Sequence, residues 1–164
     1  VAPIPPGQPV SPREIWDALL RAGATPVQAA GIMGNQFYES TWDPEAHALD
    51  TNGAWSYGLN QWNTASYPNA AQLVTGNAQS DLQAQVRFLA TTGGFRAASG
   101  NSPAAAGSAF AANYERCQGC QAGGSQNQLR SAKAAQVAGI AASGHWPRTA
   151  GGAGGGGGGS GGRV

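Results

Sequence analysis

A chain of 164 residues suits one domain, and a formal net charge of +1 with only 10% charged residues gives no broad field for steering an anion. That excludes the usual nucleic-acid binder, which needs clustered Lys and Arg against phosphate. No run approaches the roughly 18 apolar residues of a membrane span, and the front lacks the basic-then-apolar order of a secretion signal, so a membrane is not an expected partner and any export is directed elsewhere or by lysis.

Residues 1–10 are rich in proline and nearly uncharged, the composition of an extended linker, and residues 149–164 are almost pure glycine, the composition of a flexible one. The core is therefore expected within residues 11–148. Ser11-Pro12-Arg13-Glu14 reads as a capping box with proline at the first helical position, opening a helix to about Ala22 with Ile15, Trp16, Leu19 and Leu20 on one face. Thr25-Pro26-Val27-Gln28 repeats the signal and opens a helix to Glu39 or Ser40. Its small residues Ala30, Gly31 and Gly34 invite the close approach of another backbone, because a helical glycine costs about 1 kcal/mol relative to alanine and needs a packing reason.

Periodicity disappears from Thr41 to Ala71, a loop long enough to be functional, with a short hairpin centred on the turn pair Asn52-Gly53. Helices resume at Ser80 or Asp81 to Thr91 with Leu82, Val86 and Leu89 inward, at Ser102-Pro103 to Glu115, and at Ser125 to Ala142 with Leu129, Val137 and Ile140 inward. The fold class is mostly α. The arginines and Lys133 are scattered and read as solvated helix faces.

Glu39 falls in the last turn of the second helix, where the negative end of the macrodipole and the aromatic neighbours Phe37, Tyr38 and Trp42 favour a retained proton. A carboxyl group that keeps its proton near neutral pH is suited to protonating a glycosidic oxygen. Asp43, Glu45 and Asp50 lie in the following loop, and any of them is open as a second carboxylate. Tyr114-Glu115-Arg116 closes a helix, with Glu115 expected in a structural ion pair. Cys117 and Cys120 lack the βαβ context of a redox motif and the further ligands of a zinc site, which favours a local disulfide. His47 and His145 carry no assigned chemistry.

Gly31-Ile32-Met33-Gly34-Asn35 with Glu39-Ser40, then Tyr57-Gly58-Leu59-Asn60-Gln61-Trp62, then Tyr114-Glu115-Arg116, closely resembles the phage tail lysozyme family of the lysozyme-like superfamily. The order Glu-Ser followed by Gly-Leu-x-Gln is also similar to that of soluble lytic transglycosylases. The resemblance implies a mostly α lysozyme-like domain acting on bacterial peptidoglycan, with Glu39 as the catalytic acid and no cofactor or metal. It further implies that residues 58–62 line the cleft. Tyr57 and Trp62 would offer flat faces to pyranose rings, Asn60 and Gln61 polar contacts, and Tyr114 a cleft wall. Hydrolysis of the MurNAc-GlcNAc β-1,4 bond is the first expectation; lytic transglycosylation of that bond and a non-catalytic wall-binding module are the alternatives. The terminal compositions suggest tethering in a larger phage tail or lysin polypeptide, acting at the bacterial wall from a virion, a lysate or after secretion. Two departures stand out: Thr41 where the family commonly has glycine, and Cys117 where it has proline.

Overall fold

The computed structural model describes residues 9–148, and the expected linkers at residues 1–8 and 149–164 lie outside that range. Ser11 caps α1 (Pro12–Arg21) by the full reciprocal box: its Oγ accepts from the Glu14 N–H at 3.2 Å, and Glu14 Oε2 accepts from the Ser11 N–H at 2.6 Å. Val10, just before the cap, and Ile15, one turn in, are both buried in the core, the two halves of a hydrophobic staple. Thr25 and Gln28 build the same box at the start of α2 (Pro26–Ser40). Every residue from Ala29 to Gln36 is buried, so α2 is the axis of the domain.

A three-stranded antiparallel sheet follows, β1 (His47–Leu49), β2 (Trp55–Tyr57) and β3 (Trp62–Asn63), in the order β1-β2-β3. Its first hairpin turns at Asn52-Gly53, where Gly53 takes φ 80° and Asn52 Oδ1 accepts from the Ala54 N–H. A short 3₁₀ turn (Ala70–Leu73) leads to α3 (Ala78–Thr91), α4 (Gly94–Ala97), α5 (Pro103–Phe110) and α6 (Ser125–Ser143).

Two expectations about the later helices are corrected. The helix expected to reach Glu115 ends as α at Phe110 and continues as one π turn, Ala111–Glu115, closed by Arg116 at φ 52°. Such turns rotate the side chains that follow them and recur at functional sites. In α6 Val137 is buried as expected, but Leu129 is 46% exposed, and the rest of the inward face is Asn127, Arg130 and Ala134. The reason is steric: α2, α5 and α6 cross through glycine. A Cβ on Gly31 would meet Ala106 and Gly107 of α5 at 2.7–2.8 Å, and one on Gly107 would meet the Ala134 Cβ of α6 at 2.8 Å. Only small residues, or one long side chain lying along the seam, fit there.

The loop after α2 is fastened by a pair of carboxyl groups, Glu45 and Asp81. Gly76 N–H donates to Glu45 Oε2 at 3.0 Å, while Asp81 accepts from the Thr75 N–H and hydroxyl at 2.7 and 2.6 Å. Burial, then the hydrogen bond to Asp81 and its charge, push the Glu45 carboxyl up to about 7. Burial alone would raise Asp81, but the hydrogen bonds from Glu45 and Thr75 outweigh it and leave it low. Unfolded Glu45 releases its proton near 4.5 and folded Glu45 holds it to about 7, so the stability from this pair falls as pH rises across that window. Glu45→Gln is accordingly expected to raise the melting temperature at pH 8 relative to wild type and to alter it little near pH 4.5. An equal shift at both pH values would refute the shared proton.

Candidate active site

The cleft is built where the end of α2, the π turn, α6 and the sheet converge. Thr41 caps α2 in the left-handed region at φ 52°, a conformation that glycine adopts without a Cβ penalty, which is the physical content of the glycine this chain lacks. Ser40 Oγ donates to the Leu59 carbonyl at 2.9 Å and ties the helix end to the residue 58–62 turn. Trp42 Nε1 donates back to the Met33 carbonyl at 2.8 Å, so this tryptophan belongs to the core.

Glu39 thereby faces a groove of about 970 Å³, lined on the helical side by Tyr38, Glu39, Glu115 and Arg130 and on the sheet side by Asp50, Gln61 and Asn63. A smaller groove of about 430 Å³, lined by Trp62, Tyr67 and Tyr114 among others, shares Gln61, Asn63 and Glu115 with the first. The two therefore adjoin at Glu115.

Arg130 Nη1 lies 2.7 Å from Glu39 Oε1, with the arginine side chain 5% exposed and the glutamate 17%. The same Nη1 donates to Asn35 Oδ1 at 3.3 Å, and Asn35 Nδ2 is in turn fixed by the Gly31 and Gly107 carbonyls. Arg130 is thus not a solvated helix residue but a buried partner of the carboxylate. Spacing carried the signal, because Asn127, Arg130, Ala134 and Val137 recur on one helical face. Lys133, also read as solvated, sits with its ammonium 3.7 Å from the Phe37 ring centroid.

Glu115 departs from expectation too. In place of the expected structural ion pair, its Oε1 accepts from Asn60 Nδ2 at 2.6 Å, while the neighbouring Arg116 Nε donates to the Asn113 carbonyl. Asn60 Oδ1 accepts from Gln36 Nε2 at 3.0 Å, so Asn60 is a buried link between α2 and Glu115. Burial, and then the charge of Glu39, hold the Glu115 carboxyl well above the usual carboxylate range, against the opposing Asn60 hydrogen bond and Arg130 charge.

Gln61 stands at φ 50° and lines both grooves, while its Nε2 donates to the Ala46 and Gly58 carbonyls. Trp62 is buried edge-on to Phe88, and its Nε1 donates to the Tyr114 hydroxyl at 2.8 Å. Tyr114 stacks on Phe110 and bonds Thr92, and burial raises its phenol. Tyr57 lies elsewhere, against His47 and Trp55 on a face of the sheet that lines neither groove.

Of the three loop carboxylates left open, the structure brings Asp50 into the groove. Its Oδ2 accepts from the Ser56 hydroxyl and from Asn63 Nδ2, the latter at 2.8 Å. Asp43 serves a turn, accepting from the Glu45 N–H, and Glu45 belongs to the Asp81 pair. Cys117 and Cys120 are disulfide-bonded. The loop they close forms the far wall and is anchored by Asn127, which donates to the Cys120 and Ser108 carbonyls. Among the described residues no cluster of three or more His, Cys, Asp and Glu is set to hold a metal ion.

The sequence pattern that defines the phage tail lysozymes matches residues 12–140. The chain belongs to the phage tail lysozyme family. No curated protein and no solved structure matches it. Family membership gives a lysozyme-like activity on peptidoglycan in a phage setting, and the matched span contains every groove residue named above. Among the described residues no helix is long and apolar enough to cross a membrane.

Proposed function

We propose that the domain is a muramidase that hydrolyses the MurNAc-GlcNAc β-1,4 bond of bacterial peptidoglycan with Glu39 as general acid. The observation that carries this reading is the pair of carboxyl groups facing one groove from different elements, Glu39 from the end of α2 and Asp50 from the hairpin turn between β1 and β2. In the reaction the glycosidic C–O bond breaks with its electron pair going to the leaving oxygen, which takes the proton from Glu39. Water forms the new bond at C1, and its proton passes to Asp50, whose free electron pairs are oriented by Ser56 and Asn63. Gln61, Tyr38 and Asn63 are proposed to contact the strand in the larger groove, and Trp62 and Tyr114 to shape the smaller one. The proposal includes carriage of the domain on a larger phage tail or lysin polypeptide, supported by the family's setting and the glycine-rich composition from Gly151 onward.

Mass spectrometry of products from purified peptidoglycan tests this reading. Reducing-end muropeptides are expected from wild type, and Asp50→Asn is expected to reduce their yield by about 10²-fold or more. Products lighter by one water, with Asp50→Asn active, would overturn hydrolysis in favour of transglycosylation. Binding without products would leave a wall-binding module.

A further inference from the structure

We propose that Glu115 is the proton-holding partner of Glu39: the two carboxyl groups share one proton on the helical side of the groove, and Arg130 and Asn60 set where it rests. The inference deepens the muramidase reading and rests on it.

Three observations point this way. First, the two carboxyls line the same groove, and Glu115 lies at its junction with the neighbouring one, where a strand spanning both would pass. Second, their polar partners differ in charge. Glu39 has a guanidinium at 2.7 Å, which favours its ionised form, whereas Glu115 has the neutral amide of Asn60. Third, the charge balance is uneven: two carboxylates facing one buried arginine leave one negative charge uncompensated in a desolvated site, and a single proton removes it. The direction of the Glu115 shift agrees with this arrangement.

The other ionisable groups lining the two grooves are Asp50, the Tyr38, Tyr67 and Tyr114 phenols and Arg116, an exposed residue whose Nε donates to the Asn113 carbonyl, so none places a second buried positive charge beside the pair. In the empty groove the proton rests on Glu115 and Glu39 is the carboxylate. As the scissile bond breaks, Glu39 takes the proton from Glu115 and passes it to the leaving oxygen, so both carboxyl groups end ionised. The proton released by the attacking water to Asp50 returns through solvent and restores the pair. Glu115 acts through Glu39 and is a positioning residue in this scheme.

The test is the pH dependence of kcat for peptidoglycan cleavage, with thermal melts to verify folding. Glu115→Gln is expected to move the alkaline limb down by a pH unit or more. Activity at pH 7 then falls by roughly tenfold or more, recovers towards pH 5, and KM changes little. Asn60→Ala removes the donor that favours ionised Glu115 and is expected to move the same limb up. Glu115→Asp, which keeps a carboxyl, is expected to restore part of the wild-type profile. A uniform loss at all pH values in folded Glu115→Gln, or an unchanged profile, would overturn the inference while leaving Glu39 as acid. Retained activity in Glu39→Gln would instead overturn the reading beneath it.

Discussion

Glu39→Gln is expected to lower the rate of glycan-strand cleavage by about 10³-fold or more at every pH, with the protein still folded. The amide has nearly the shape of the carboxylic acid but no proton that it can surrender to a leaving oxygen. Loss of a general acid alone is typically worth about 10² to 10⁴ in rate, and here the leaving group is an alkoxide that departs poorly unprotonated. Stability should drop as well, because Arg130, nearly buried, loses its counter-charge. Removing one partner from a buried pair costs about 3–5 kcal/mol, but the Gln oxygen still accepts a hydrogen bond, so a smaller loss is expected. Far-UV circular dichroism and a melt separate the two effects. A folded Glu39→Gln that still releases muropeptides at more than a tenth of the wild-type rate would remove Glu39 from the chemistry.

How far the sequence leads to this site depends on whether the information is local. Both capping boxes are local, four residues each, and both form as read. The hairpin at Asn52-Gly53 is local too, because the turn pair chooses its own geometry. Arg130 is different. Its role depends on α6 crossing α2 at Gly34, a contact between residues about 95 positions apart, and a charged residue on a helix ordinarily reads as solvent-facing. Glu115 was obscured by a local irregularity, the π turn that continues what periodicity presents as one plain helix. Asp50 could not be chosen over Asp43 and Glu45 because all three flank turn residues, and only the fold of the sheet separates them. Tyr57 shows the reverse case: its strand is adjacent to the cleft, but strand side chains alternate faces, and Ser56 takes the face that reaches Asp50.

The crossing at Gly34 carries the second large expectation. A Cβ there would lie 2.6 Å from the Ala134 nitrogen and 2.8 Å from both the Ala134 Cα and the Arg130 carbonyl oxygen. All three are backbone atoms, so no rotamer change relieves the clash and α6 itself must move. Gly34→Ala should gain about 1 kcal/mol of helix propensity and lose about 3 kcal/mol to overpacking, for a net destabilisation of about 2 kcal/mol. Gly139→Ala is the matched control, since its Cβ would meet nothing within 4 Å and only the propensity gain remains. Denaturant midpoints of the two variants should therefore move in opposite directions. Activity adds a sharper criterion. Arg130 leaves α6 one turn before Ala134, so displacing the helix withdraws the guanidinium from Glu39 and Asn35. Gly34→Ala is expected to lose more activity, under conditions where it is fully folded, than its stability explains. A stable, fully active Gly34→Ala would mean that the helices do not cross this closely and that the position of Arg130 beside Glu39 is not held by their backbones.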